Sequence, residues 1–121
     1  MKNISDTVLG DNQMKNGNDE TTPILVLKTH VRDFIEKRNW QKYHNPKDIA
    51  IAISVEAAEL LDIFKWRRKG YEKERIEEEV ADIMIYLLSL ANVLYIDLTQ
   101  VILEKLRADE LKYPVDKPHR W

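Results

Sequence analysis

Four acids stand where a folded helix would bury apolar side chains. On a helical wheel Ile49, Ala52, Ile53, Leu60, Ile63 and Trp66 form one stripe, and Glu56 and Glu59 fall inside it. Their i, i+3 spacing puts both carboxylates on one face, a turn apart. After nineteen intervening residues, Glu79 and Asp82 repeat the spacing at the head of a row that continues through Ile83, Tyr86 and Leu90. Two carboxylate pairs therefore point into the space between two helices. Ionised and left unpaired in a partly buried site, such groups cost several kcal/mol each. Neither stripe carries Lys or Arg beside them, so cations from solution are the remaining compensation. All-oxygen ligands select hard cations, Mg²⁺ or Mn²⁺. Solvated acidic faces are common, and Glu72, Glu74, Glu77 and Glu78 are read as one. A carboxylate-bridged di-iron site is disfavoured, because no Glu is followed by His three residues on.

Magnesium held this way points to phosphate chemistry. The ion grips phosphate oxygens, offsets developing charge and acidifies a bound water. The chain has no Gly-rich phosphate loop, so metal and basic side chains must hold the phosphates; Lys105, Arg107 and Lys112 are the candidates. Trp40, His44 and Trp66 are candidates for a base pocket, since aromatic faces stack on nucleobases and an imidazole hydrogen-bonds a base edge.

The elements that must position these residues are helical. Three glycines and four prolines in 121 residues leave few breaks. One helix is expected from about Pro23 to Arg38, with Ile24, Leu27, Val31, Phe34 and Ile35 as its apolar row. A second starts at the cap Asn45, with Pro46 in its first turn, and runs to about Trp66, with Gly70 beyond its end. A third spans about 72–94, and a fourth follows Asp97, which has capping-box spacing to Gln100, with apolar positions at Leu98, Val101, Ile102, Leu106 and Leu111. Pro114 ends it. The expected fold class is all-α, an antiparallel four-helix bundle. Helix three is apolar on most sides, so a second subunit is expected to cover part of it and the chain is expected to be a homo-oligomer. Residues 1–22 read as a disordered polar tail before a single domain over 23–121.

Composition excludes other classes. The chain is 44% hydrophobic and 33% charged with net charge −2 and no basic block, so a nucleic-acid polymer is not the expected partner. It has no cysteine, which rules out disulfides and thiolate metal sites. No apolar run is long enough for a membrane span, and no signal peptide is visible, so a cytoplasmic protein is expected.

Glu56-Ala-Ala-Glu59, nineteen residues, then Glu79-Val-Ala-Asp82 resembles the Glu-x-x-Glu … Glu-x-x-Asp signature of the MazG-type all-α nucleotide pyrophosphohydrolases. The likeness extends from Phe34 to about Pro118 and is closest to the small dCTP pyrophosphatase branch. Arg38–Pro46, Glu59–Trp66, Asp82–Leu87 and Lys112–Val115 carry it. The resemblance implies a Mg²⁺-dependent hydrolase that releases a monophosphate and pyrophosphate, with Glu56, Glu59, Glu79 and Asp82 as catalytic metal ligands. It implies that Trp40, His44 and Trp66 enclose the base, that Tyr86 and Lys105 lie near the phosphates or sugar, and that the assembly is a dimer or a dimer of dimers. Two departures stand out. Asp109 occupies a substrate-binding position where the family often has Asn. A histidine of helix one in some dCTP enzymes falls on Val31 here, beside His30. From the residues alone, a non-catalytic metal-binding oligomerisation module and a hydrolase of another phosphorylated substrate remain the alternatives.

Overall fold

The computed structural model describes residues 16–65 and 69–116. Helix α1 spans Ile24–Lys37, α2 Pro46–Phe64, α3 Lys73–Leu94 and α4 Leu98–Lys112; the described residues contain no strand. The fold is all-α, as expected.

Local chemistry explains where the helices begin. Asn45 Oδ1 accepts from the Asp48 N–H at 2.9 Å, and Asn45 Nδ2 donates to Asp48 Oδ2 at 2.6 Å. The cap and first-turn carboxylate thus support each other across Pro46. Asp97 Oδ1 likewise accepts from the Gln100 N–H at 2.9 Å, while the Gln100 side chain turns to Glu104 instead of closing the capping box. Gly70 adopts φ +77 with open space around it, so backbone conformation, not packing, calls for glycine there. Tyr71 then turns its ring onto Phe64, edge to face at 4.9 Å, which closes the connection from α2 to α3.

α3 is the central element, packing most extensively on α2 and next on α1. Val26, Val31, Ile49, Ile63, Leu88 and Ala91 are the buried apolar residues, with Thr29 and Ser89 buried among them. Thr29 Oγ1 satisfies itself on the Leu25 carbonyl at 2.8 Å. Lys28 Nζ donates to the Ile96 carbonyl at 2.8 Å and Asn92 Nδ2 to the Lys28 carbonyl at 2.9 Å, tying α1 to the end of α3.

Two expectations shift. On α1 the buried row is Val26, Thr29 and Val31, whereas Leu27 and Phe34 are largely exposed and line an open cleft. α1 packs chiefly on α3, and part of its apolar surface faces that cleft. α4 buries none of its residues. It turns by 102° relative to α3, and Val101, Ile102, Leu103 and Leu106 remain 44–50% exposed. Of the anticipated core positions on α4, only Leu98 is partly covered. Among the described residues no single helix is long and apolar enough to cross a membrane. Residues 1–15 of the expected tail lie outside the described residues; Asn18–Thr22 form a turn in which Asn18 Oδ1 accepts from the Glu20 and Thr21 N–H groups at 2.9 and 3.0 Å.

Candidate active site

α2 and α3 bring the acids together. One carboxylate oxygen each from Glu56, Glu79 and Asp82 lies within 4.8 Å of the others, a spacing that one cation can bridge. Glu56 and Glu79 are half-buried, and the Oε2 atom of each is buried without a hydrogen-bond partner. Buried carboxylate oxygens are ordinarily paired, so these two need a ligand. The strain is visible at Glu56, whose pKa is pushed up from 4.5 to about 7. The largest cause is the hydrogen bond that a protonated Glu56 would make to Glu79, followed by burial, then Glu59 and Asp82. Glu59 therefore borders the cluster, although its own side chain is exposed.

Glu56 and Asp82 also line the cleft between α1 and α3, whose volume is about 1330 Å³. That exceeds the roughly 300–1,000 Å³ of small-molecule sites, so a nucleoside triphosphate has ample room. Trp40, His44 and Tyr86, three of the residues predicted from the sequence, line the same cleft. The turn after α1 puts Trp40 there. Its N–H donates to the Ile35 carbonyl at 3.0 Å and the Asn39 N–H to the Glu36 carbonyl at 3.0 Å, with Asn39 left-handed at φ 56. This six-to-one closure ends the helix and folds Trp40 back onto Phe34, edge to face at 5.8 Å. A short 3-10 turn at Gln41–Tyr43 then delivers His44 to the start of α2. His44 Nδ1 is buried and unpartnered.

His30, which sequence reasoning set aside, lines this cleft as well, and its Nε2 is likewise buried without a partner. The available signal was its place in the buried half of α1, one residue before Val31. Lys105 and Asp109 do not join the site within one chain. They pair with each other, Lys105 Nζ to Asp109 Oδ1 at 2.6 Å, and neither lines the cleft. That hydrogen bond, with the Asp109 charge, holds the Lys105 ammonium above its ordinary pKa. Trp66 lies outside the described residues.

Known proteins resemble this chain in sequence and fold. Residues 51–121 match the MazG-like family. Bovine (Bos taurus) dCTP pyrophosphatase 1 is 32% identical over 92 residues, 69% of this chain and 54% of that protein. The human (Homo sapiens) protein of the same name is 30% identical over 91 residues, 68% of this chain and 54% of its own length. The chain thus spans about half the length of these curated relatives. A solved pyrophosphatase from Archaeoglobus fulgidus superposes with TM-score 0.69 at 42% identity, covering 73% of this chain and 89% of that one. With the family matched across more than half of its length, the acid cluster included, this chain belongs to the MazG-like family.

Proposed function

We propose that the chain is a Mg²⁺-dependent nucleoside triphosphate pyrophosphohydrolase of the cytoplasm that clears unwanted nucleotides, with dCTP-like substrates preferred. The observation that carries this reading is the meeting, in one cleft, of unneutralised carboxylates with an indole and two imidazoles, side chains suited to stacking on and hydrogen-bonding a nucleobase. The reaction is NTP + H₂O → NMP + pyrophosphate: water adds across the α–β anhydride, one product taking its oxygen and the other keeping the bridging oxygen. Glu56, Glu79 and Asp82 would hold the metal with Glu59 beside them, the buried orphan oxygens of Glu56 and Glu79 fitting a hard cation. When bound, Mg²⁺ neutralises charge on the phosphate oxygens and acidifies the attacking water. The chain's own groups do the rest. A carboxylate oxygen left free of metal orients the water and accepts its proton. Trp40 offers a ring face to the base, and His44 Nδ1 and His30 Nε2 offer polar atoms to its edge. The preference for cytosine rests on the likeness to the dCTP pyrophosphatases.

The assembly belongs to the same reading. The exposed apolar residues Val101, Ile102, Leu103 and Leu106 of α4, with Val80 and Met84 of α3, suit a second copy of the chain. In such a dimer, or dimer of dimers, α4 can reach a cleft that it does not line within its own chain.

Incubation with ribo- and deoxyribonucleoside triphosphates, with Mg²⁺ or with chelator, tests the reading. Metal-dependent release of monophosphate and pyrophosphate is expected. Folded, metal-loaded protein that releases neither from any of them overturns it.

A further inference from the structure

The cleft must receive a polyanion, yet most charged side chains on its walls are acids. Among the described residues the only Lys or Arg side chains lining it are Lys37 and Arg38. Arg38 is the one that is pinned. Its guanidinium carbon sits 3.6 Å from the centre of the Phe34 ring, and Nη1 donates to the Phe34 carbonyl at 3.1 Å. Stacking and hydrogen bond together fix the plane of the group. Among the described residues no acceptor engages Nε or Nη2. The same carbon is 5.9 Å from the Trp40 ring centre, so a base lying on Trp40 falls within reach of those free donors.

We propose that Arg38, held flat on Phe34 beside Trp40, reads the base edge and selects bases that present two adjacent hydrogen-bond acceptors. This rests on the nucleotide reading of the cleft. A guanidinium is a donor-only fork. Cytosine meets it with N3 and O2, and guanine with O6 and N7. Thymine and uracil place an N–H between their two carbonyls, and adenine sets an amino group beside each acceptor on its Watson–Crick and major-groove edges. Each mismatches a fork. The arrangement gives a cytosine preference a physical origin in this chain, and it names guanine as the competitor that the rest of the pocket must reject.

The test uses full-length protein with Mg²⁺ and the non-hydrolysable α,β-methylene analogues of dCTP, dGTP, dTTP and dATP. Equilibrium binding is measured for the wild type, Arg38→Met and Arg38→Lys, with inorganic tripolyphosphate as a probe that has no base. The wild type is expected to bind the dCTP analogue more tightly than the dTTP and dATP analogues, whose edges mismatch the fork. Arg38→Met, which keeps an aliphatic stem on Phe34, should lose about tenfold of that preference, and Arg38→Lys most of it, because one ammonium cannot fork. Tripolyphosphate affinity should be the same in all three. A wild type without the preference, variants that retain it, or tripolyphosphate weakened as much as the nucleotides would each overturn the assignment. In the last case Arg38 is a phosphate contact. Should Arg38→Met fail to fold, Arg38→Lys carries the same comparison. Binding requires no turnover, so failure of the hydrolase reading shows separately, as absence of pyrophosphate release by the wild type.

Discussion

The chain carries acids in two settings that differ in what neutralises them. On α4, Asp109 meets Lys105 one turn away at 2.6 Å, with the carboxylate side chain 18% exposed and the lysine 70%. That pair is complete within its own helix and asks nothing of the solution. Between α2 and α3, Glu56, Glu79 and Asp82 converge within 4.8 Å, and among the described residues no Lys or Arg pairs with them. Here a proton shared with Glu79, helped by burial and by the neighbouring Glu59 and Asp82, raises Glu56 to about 7. A carboxylate beside its own cation is a surface ornament of the fold, whereas a carboxylate beside other carboxylates awaits a ligand.

The largest effect should come from breaking the cluster. Asp82→Asn or Glu56→Gln is expected to lower kcat on the order of a thousandfold, the scale on which one acid–base or electrostatic partner counts in an active site. The metal-free variants should melt no lower than the wild type, because a repelling charge has gone. Steady-state kinetics and thermal melts check both halves, and full activity in either variant would remove these acids from the mechanism.

Next comes the proton as a stand-in for the cation. The pKa of Glu56 is raised from 4.5 to about 7 in the folded chain, so between those values the folded state keeps a proton that the unfolded chain has released. Its contribution to stability is fully present at low pH and is lost as pH rises through about 7. Metal-free protein should therefore show a Tm that declines from about pH 5 to about pH 8 on account of this group. Saturating Mg²⁺ should remove the decline, since the cation takes the proton's place, and Glu56→Gln should flatten it without metal. A metal-free Tm that rises over that range in the wild type but not in Glu56→Gln contradicts the reading.

A third experiment asks whether the self-sufficient helix joins the cluster through a second copy. Leu106→Glu puts a charge in the exposed apolar face of α4. Sedimentation should show the wild type as an oligomer and the variant shifted toward monomer, with turnover reduced in step. A monomeric wild type with full turnover would confine the working site to one chain.

What was legible in the sequence follows the range of the forces involved. Caps act over three residues, so Asn45 with Asp48 and Asp97 with Gln100 could be read directly, and the i, i+3 acids declared their shared face. Periodicity reports that a face is apolar but not what covers it. Leu27 and Phe34 looked like core and instead wall the cleft, and the apolar face of α4 is uncovered within the chain. The direction of α4 depends on the turn at Tyr95, left-handed at φ 55 with Ile96 N–H closing onto the Ala91 carbonyl, which no residue pattern announced. His30 was passed over because a sequence match pointed to its neighbour. Only packing reveals an imidazole nitrogen buried without a partner.

The smallest effect tests the other side of the comparison. If Asp109 does no more than neutralise Lys105, then Asp109→Asn should leave the fold intact, since an exposed i, i+4 ion pair adds little to stability. The measurable change lies at Lys105. Asp109, by hydrogen bond first and charge second, is what holds its pKa up, so the variant should lower the pKa of the ammonium while leaving it charged at neutral pH. Released from its partner, that cation is free for a triphosphate wherever assembly brings α4 to a cleft. Nucleotide affinity should then tighten by up to about fivefold, the scale of one exposed ion pair, and the gain should fade with added salt. Titrations at low and high ionic strength check it. A loss of affinity would instead mean that Asp109 itself holds the substrate, as a carboxylate would by accepting a hydrogen bond from a sugar hydroxyl. Comparing ribo- with deoxyribonucleotides in the same titration separates that role from simple charge neutralisation, because only the hydroxyl contact would depend on the sugar.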